Sequence, residues 1–235
     1  MIRITLVNPN TTRAMTEAAG RAARAVAAPG TVVTAVEPAT GPAAVESHHD
    51  AALAVPGVLA EVAAAPDADG FVLACFGDPG LDAAREVASG PVVGIAEAAL
   101  HTATLLGRGF SVVTTLPRMI GRTEELVRRY GCADACRGVR ACDVPVLDVS
   151  GSYDAVLDAC AAALAADGSD VLVLGCAGMA ELAAAVSAEL GVPVVDGVAA
   201  ATKLVEGLVA QGLRTSRRSE YAPVPGLVRA LSKEH

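Results

Sequence analysis

Two cysteines in this chain, Cys75 and Cys176, stand where a thiol could do chemistry. Each ends a short apolar run, Val72-Leu73-Ala74-Cys75 and Val173-Leu174-Gly175-Cys176. Each is followed by a turn with glycine, Phe76-Gly77-Asp78-Pro79-Gly80 and Ala177-Gly178. A free thiol titrates near ~8.5, so a small fraction is thiolate at neutral pH, and that fraction is a competent base. Unpaired N–H groups at the start of a helix favour the thiolate, and both turns lead into segments of helical composition. Depressed thiol pKa values are therefore expected at both positions.

The elements that must hold these thiols are legible as alternating short strands and alanine-rich helices. Strands are expected at 2–7, 31–36, 71–75, 91–95, 110–114, 144–149, 171–175 and 192–195, from apolar, β-branched runs. Helices are expected at 12–27, 50–64, 97–106, 118–130, 153–167, 179–190 and 198–210, from runs of Ala, Leu, Glu and Arg. Strands that look buried on both faces and are joined by helices make a parallel α/β sheet. The order of landmarks also repeats. Cys75 and Cys176 are 101 residues apart, and Pro91-Val92-Val93 recurs 102 residues on as Pro193-Val194-Val195. The opening strand, ending at Asn8-Pro9-Asn10-Thr11, has a counterpart in Phe110-Ser111-Val112-Val113-Thr114-Thr115. The expected fold is two similar α/β lobes related by a pseudo-twofold axis, with the active site in the cleft between them. Their expected extents are 1–104 and 105–204, with the C-terminal segment 205–235 returning to the first lobe.

Ligands of parallel α/β sheets bind beyond the carboxyl ends of the strands. Cys75 and Cys176 both occupy such an end, so a pseudo-twofold relation would set the two thiols on opposite sides of one cleft. Two bases facing one carbon acid can invert it: one removes the proton, the other delivers one to the opposite face of the planar carbanion. Nearby backbone N–H groups would hydrogen-bond the enolate oxygen. A lone cysteine at a strand end is ordinarily a small packed hydrophobe. Two at matching repeat positions, each beside glycine, favour function. The only lysines, Lys203 and Lys233, lie at no strand end, which speaks against a pyridoxal Schiff base.

At these residues the chain resembles the Asp/Glu/hydantoin racemase superfamily, and within it the hydantoin and allantoin racemase branch. The matching blocks are Asn8-Pro9-Asn10-Thr11-Thr12, Gly41-Pro42-Ala43 with Glu46, Cys75 to Gly80, Pro91 to Ala98, Phe110 to Thr115, Leu174 to Met179, and Pro193 to Ala200. They run in order nearly end to end. The resemblance implies two-base racemisation at C5 of a 5-substituted hydantoin or of allantoin, with no metal or cofactor, and Cys75 and Cys176 as the acid/base pair. It implies that Asn8 and the Thr114-Thr115 loop hold the ring's polar edge. Backbone N–H groups of Phe76, Gly77, Ala177 and Gly178 would hold its carbonyls, and Glu97 is a further candidate for orienting ligand or thiolate. Position 77 varies within the branch. The alternatives are an amino-acid racemase or an arylmalonate-type decarboxylase of the same superfamily, or, outside catalysis, a two-lobed binding module. A decarboxylase needs one acidic cysteine, and the second speaks against it.

Composition narrows the partners. A formal net charge of −8 and 3% aromatic residues make nucleic acid an improbable ligand. Despite 53% hydrophobic residues, no run reaches the ~18 uncharged apolar residues of a membrane span. The N-terminus carries no secretory signature, and six cysteines in a chain of this length read as reduced thiols, so a cytoplasmic homo-oligomer acting on a small molecule is expected. Cys132, Cys136 and Cys142 fit no zinc spacing and are assigned to surface or packing, Cys160 to the core. His48-His49-Asp50 is expected to be a solvated helix start, Asp78 to cap the helix after Cys75, Glu97 to cap the one after 91–95, and Asp196-Gly197 to shape the cleft. The charged, proline-containing tail from Leu213 to His235 is expected on the first lobe or at a subunit contact.

Overall fold

The computed structural model describes residues 1–222. The first sheet is built from β1 (Ile2–Val7), β2 (Thr31–Val36), β3 (Gly70–Leu73) and β4 (Val92–Gly94), in the order β2-β1-β3-β4. The second is built from β5 (Phe110–Thr114), β6 (Cys136–Ala141), β7 (Val171–Leu174) and β8 (Val194–Asp196), in the order β6-β5-β7-β8. Every pairing is parallel, and the two orders are the same. The repeat seen in the sequence is thus a repeat of topology.

The central strands are buried on both faces, which is why they read as continuous apolar runs. Seven of the eight expected strands match. The exception is 144–149, which is loop running into a 3-10 turn, Val149–Gly151; the strand lies at Cys136–Ala141 instead. That edge strand carries Arg137, Gly138 and Arg140, only Arg137 of them exposed, so it lacks the apolar signature. Pro145 denies 144–149 a ladder hydrogen bond, while Val146 and Val149 pack into the second lobe's core.

The helices are α1 (Arg13–Val26), α2 (His48–Ala64), α3 (Leu81–Val87), α4 (Ile95–Thr104), α5 (Ile120–Arg129), α6 (Tyr153–Asp167), α7 (Ala183–Leu190) and α8 (Gly197–Ala210). The short α3 is the helix expected after the Cys75 turn, for which the sequence offers no bounds. The last helix of each half crosses the seam: α4 packs on β7, β8 and α8, and α8 lies over β1, β3 and β4. Their buried faces are small, with Ala96, Ala98, Ala99 and Ala103 on α4 and Val198, Ala201 and Val205 on α8. These join Ile4, Leu6 and Val72 of the first sheet to Val112, Val171 and Val173 of the second in one continuous core. Alanine-rich helices therefore let the two sheets approach closely, and the shared core fixes one set of strand ends against the other.

Past Leu213 the chain lies on the first lobe, where Arg217 donates to the carbonyls of Glu86 and Ala88 and Tyr221 Oη to Asp82. The remainder of the tail, 223–235, is outside the described residues. Among the described residues no helix is long and apolar enough to cross a membrane.

Candidate active site

Equivalent hydrogen bonds carry the chain off the sheet just before each cysteine. Ala74 N donates to Val7 O and Gly175 N to Val113 O, both at 2.8 Å. Beyond each cysteine the chain turns back on it: Asp78 N donates to Cys75 O at 3.0 Å and Met179 N to Cys176 O at 3.1 Å. The two thiols thus end matching strands, β3 and β7, in matching turns.

Both line one partly open, largely apolar cleft, the kind of concave surface small molecules bind. Phe76, Gly77, Thr114, Thr115 and Ala177 line it as well, as their positions in the motifs imply. Asn10, Met15, Val45, Met119, Arg122, Thr123 and Val146 complete most of the wall. Thr114 and Thr115 reach it because β5 ends there; their carbonyls accept from Cys142 N and Val144 N, which closes the loop behind them.

Three expected site residues are not among those lining the cleft. Asn8 is buried behind it, with its amide donating to Asn10 Oδ1 at 2.9 Å and Thr16 Oγ1 at 3.0 Å, and its Oδ1 accepting from Asn10 N. Its polar groups are spent on the turn that presents Asn10. Glu97 sits on the outer side of α4, paired with Arg85 at 2.5 Å and beside Val92 and His101. Gly178 stands behind the thiol of Cys176, to which its N–H donates.

The capping expectations also change. Asp78 caps α4, not the helix after Cys75: its carboxylate accepts from Ala96 N (3.2 Å), Glu97 N (3.0 Å) and Tyr130 Oη (2.7 Å). The helix after Cys75 starts instead at Gly80, in the left-handed region at φ 76°. Asp196 does not shape the cleft but caps α8, accepting from Val198 N and Ala199 N. His48 and His49 stand at the start of α2, where Ser47 Oγ accepts from Asp50 N. All six cysteines are free thiols, and among the described residues no group of three His, Cys, Asp or Glu side chains is placed to hold a metal.

Burial raises the Asp78 carboxyl from 3.8 to about 6, against the pull of its three donors. The native state therefore holds a proton that the unfolded chain releases between about pH 4 and 6. The stabilisation from this group is complete below about pH 4 and is lost as pH rises through about 6. It amounts to at most about 3 kcal/mol. Asp78→Asn should gain stability relative to the parent as pH rises from 4 to 7, read by urea unfolding at several pH values. An unchanged difference would show that the carboxyl does not titrate in this window.

The thiols correct the sequence-based expectation of depressed pKa values. Burial pushes Cys75 up, opposed by the Gly77 N–H and the Arg122 guanidinium and reinforced by Asp78. Burial pushes Cys176 up to about 12, opposed only by the Gly178 N–H. The N–H groups at the turns do favour the thiolates, but a dry cleft favours the neutral thiol by more. A thiol raised in this way is scarcer as thiolate and stronger as a base once ionised, which suits a weak carbon acid.

A family model described as Asp/Glu/Hydantoin racemase matches residues 4–205. The chain belongs to the Asp/Glu/hydantoin racemase family. A hydantoin racemase of Rhizobium meliloti is 46% identical over 227 residues, covering 94% of each chain. The solved allantoin racemase from Klebsiella pneumoniae superposes with a TM-score of 0.93 at 49% identity, over 96% of this chain and 94% of that one. The allantoin racemase of Pseudomonas fluorescens gives 0.92 at 38% identity, over 95% and 97%. Members of this racemase family at that level of likeness share the whole two-lobed frame, not one lobe of it.

Of the residues that sequence reasoning missed, Arg122 stands out as the one charged side chain among those lining the cleft. Its only signal in the sequence is a place on a strongly amphipathic segment, Ile120 to Arg129, together with four other charged residues.

Proposed function

We propose that this racemase inverts C5 of a 5-substituted hydantoin or of allantoin by proton transfer between Cys75 and Cys176, through an enolate and without metal or cofactor. The observation that carries this reading is that two thiols, from equivalent strand ends of two lobes, line a single cleft. The hydantoin racemase and the two allantoin racemases it resembles supply the substrate class.

One thiolate takes the C5 proton while the electron pair moves onto the flanking carbonyl. The opposing thiol then delivers its proton to the other face. The N–H groups of Phe76, Gly77, Ala177 and Gly178 are assigned to the ring carbonyls, those of Gly77 and Gly178 being shared with the sulfurs. Thr114 and Thr115 hold the polar edge of the ring, with Asn10 presented by Asn8. Glu97 acts from outside the cleft, through Arg85 and the start of α4. A hydantoin C5–H lies between a carbonyl and an amide nitrogen, so it is acidic enough for a thiolate of this kind.

The lobe boundaries proposed are 1–104 and 105–204, with the chain from 205 returning to the first lobe. The packing of α8 on β1, β3 and β4 and the contacts of Arg217 and Tyr221 support this. Six free thiols fit a reducing, cytoplasmic setting, and a homo-oligomer goes with the same reading.

Polarimetry tests the activity. Single enantiomers of allantoin, one aromatic hydantoin and one aliphatic hydantoin, incubated in D₂O, should lose optical rotation. At least one of the three should do so well above its uncatalysed rate, with one deuterium incorporated at C5 per inversion. Loss of rotation with the C5 proton retained would exclude proton transfer to solvent-exchangeable thiols. Full retention of rotation in all three would remove the substrate assignment.

A further inference from the structure

Each cysteine of the cleft has a charged neighbour lent by the opposite lobe, and the two charges have opposite sign. Arg122, on α5 of the second lobe, donates to the carbonyls of Gly77 and Ser47 in the first, both at 3.3 Å. Gly77 is two residues beyond Cys75. A Cβ at position 77 would meet Arg122 Nη2 at 2.6 Å and Cζ at 3.0 Å, so glycine there is what admits the guanidinium. On the other side, Glu46 of the first lobe accepts the N–H of Val146 at 2.8 Å. Val146 lines the cleft, and its carbonyl lies against Gly178, two residues beyond Cys176.

We propose that Arg122 and Glu46 are positioning residues that make the two thiols unequal, so that when the resting site loses one proton it is Cys75 that carries the thiolate and Cys176 that stays the thiol. The proposal rests on the two-base reading above. Neutral substrates give a fixed cation in the cleft nothing to neutralise, whereas a thiolate or enolate does. The site carries one negative charge at every stage of the transfer, and Arg122 balances it. The other charged or titratable groups facing the sulfurs do not reverse the bias. Cys75 also faces Asp78, whose carboxylate is turned to the start of α4, while Cys176 faces Cys75, Cys142 and Glu46, all of which disfavour its ionisation.

The proton inventory closes. The Cys75 thiolate forms an S–H bond as the C5–H bond breaks, and Cys176 gives up its proton as the new C5–H bond forms. The enzyme is left with the charges exchanged. It resets when, after product leaves, a proton passes from Cys75 to Cys176 through water in the cleft. Because enantiomers are equal in energy, kcat/KM must be the same in both directions at every pH. The inequality is therefore read on the free enzyme.

The test is alkylation of the substrate-free protein by iodoacetamide across pH 6–10.5, with each cysteine followed by peptide mass spectrometry. A profile still rising at pH 10.5 places its midpoint above that limit, and a shift of such a midpoint is read as a change in rate at fixed pH. The midpoint of each rate profile reports ionisation, and the plateau reports access. Cys75 should have a midpoint at least about one pH unit below that of Cys176. Arg122→Gln should raise the Cys75 midpoint by about one pH unit or more and leave that of Cys176 nearly unmoved, and Arg122→Lys should restore most of the difference. Glu46→Gln should lower the Cys176 midpoint. Racemisation by Arg122→Gln should fall about tenfold at pH 7 and recover at higher pH, which loss of a mere interlobe latch would not do. A Cys176 midpoint at or below that of Cys75 in the unaltered protein overturns the proposal, and so does a Cys75 midpoint unmoved in a folded Arg122→Gln. The first comparison needs no variant. Failure of the unaltered enzyme to racemise any hydantoin would instead sink the activity assignment, leaving the midpoints to stand or fall alone.

Discussion

Cys75→Ser and Cys176→Ser should each lose inversion by about 10³-fold, the scale of a removed acid/base group. A serine hydroxyl is far too weak an acid to be ionised in this cleft, so each variant keeps one functional thiol. That remaining thiol can still abstract a proton, exchange it with solvent and return deuterium to the same face. Cys176→Ser should therefore wash out the C5 proton of one enantiomer without inverting it, and Cys75→Ser should do so for the other. Proton NMR in D₂O combined with chiral chromatography separates exchange from inversion. The double variant should be scarcely worse in inversion than either single one, because residues acting as a unit are not additive. Exchange of the same enantiomer by both variants would mean that the thiols approach from one face. Retained inversion in either would end the two-base scheme. Both cysteines sit in hydrogen-bonded turns and Ser is nearly isosteric, so the fold should survive.

Much of this frame is legible in the amino-acid sequence, for identifiable physical reasons. Strands buried on both faces leave continuous apolar runs, and β1, β2 and β5 match their expected bounds. Cys75 and Cys176 are legible because strand ends in parallel sheets are where ligands bind, and the repeat brings two such ends together. What the sequence hides depends on tertiary contact. Arg122 is one of several arginines near α5, and only the meeting of the lobes selects it for the cleft. Asn8 and Asn10 are alike in a motif and both are hydrogen-bonded within the turn, and only the fold decides that Asn10 lines the cleft while Asn8 lies behind it. Asp78 reads as the cap of the nearest helix, but its left-handed backbone, φ 40°, turns the carboxylate to a helix that begins 17 residues later in the chain, at Ile95. A depressed thiol pKa is what local N–H donors alone predict, and burial, a property of the whole cleft, outweighs them.

Gly94→Ala should be the most damaging single methyl addition next to the site. The backbone of Gly94, φ −81° and ψ 147°, suits any residue, so the obstacle is space alone. An added Cβ would overlap the carboxylate of Asp78. That carboxylate cannot swing aside freely. It is buried, and moving it would strip hydrogen bonds from Ala96 N, Glu97 N and Tyr130 Oη together. Overpacking costs about 1–3 kcal/mol, and each buried group left unpaired adds about 1–3 more, so a loss of about 3–5 kcal/mol is expected. In a chain of this size that lowers Tm by roughly 10 °C. Activity should fall as well, because Asp78 N closes the turn on Cys75 O and a displaced Asp78 moves the thiol. Adding Asp78→Ala to Gly94→Ala should cost less than the sum of the two single changes, since the overlap then has no partner. Gly121→Ala is the control: a Cβ there meets nothing within 4 Å, and in the body of α5 alanine should be neutral or stabilising by about 0.5–1 kcal/mol. Should Gly94→Ala melt within a degree of Gly121→Ala, the β4–Asp78 contact is not what holds the Cys75 turn in place.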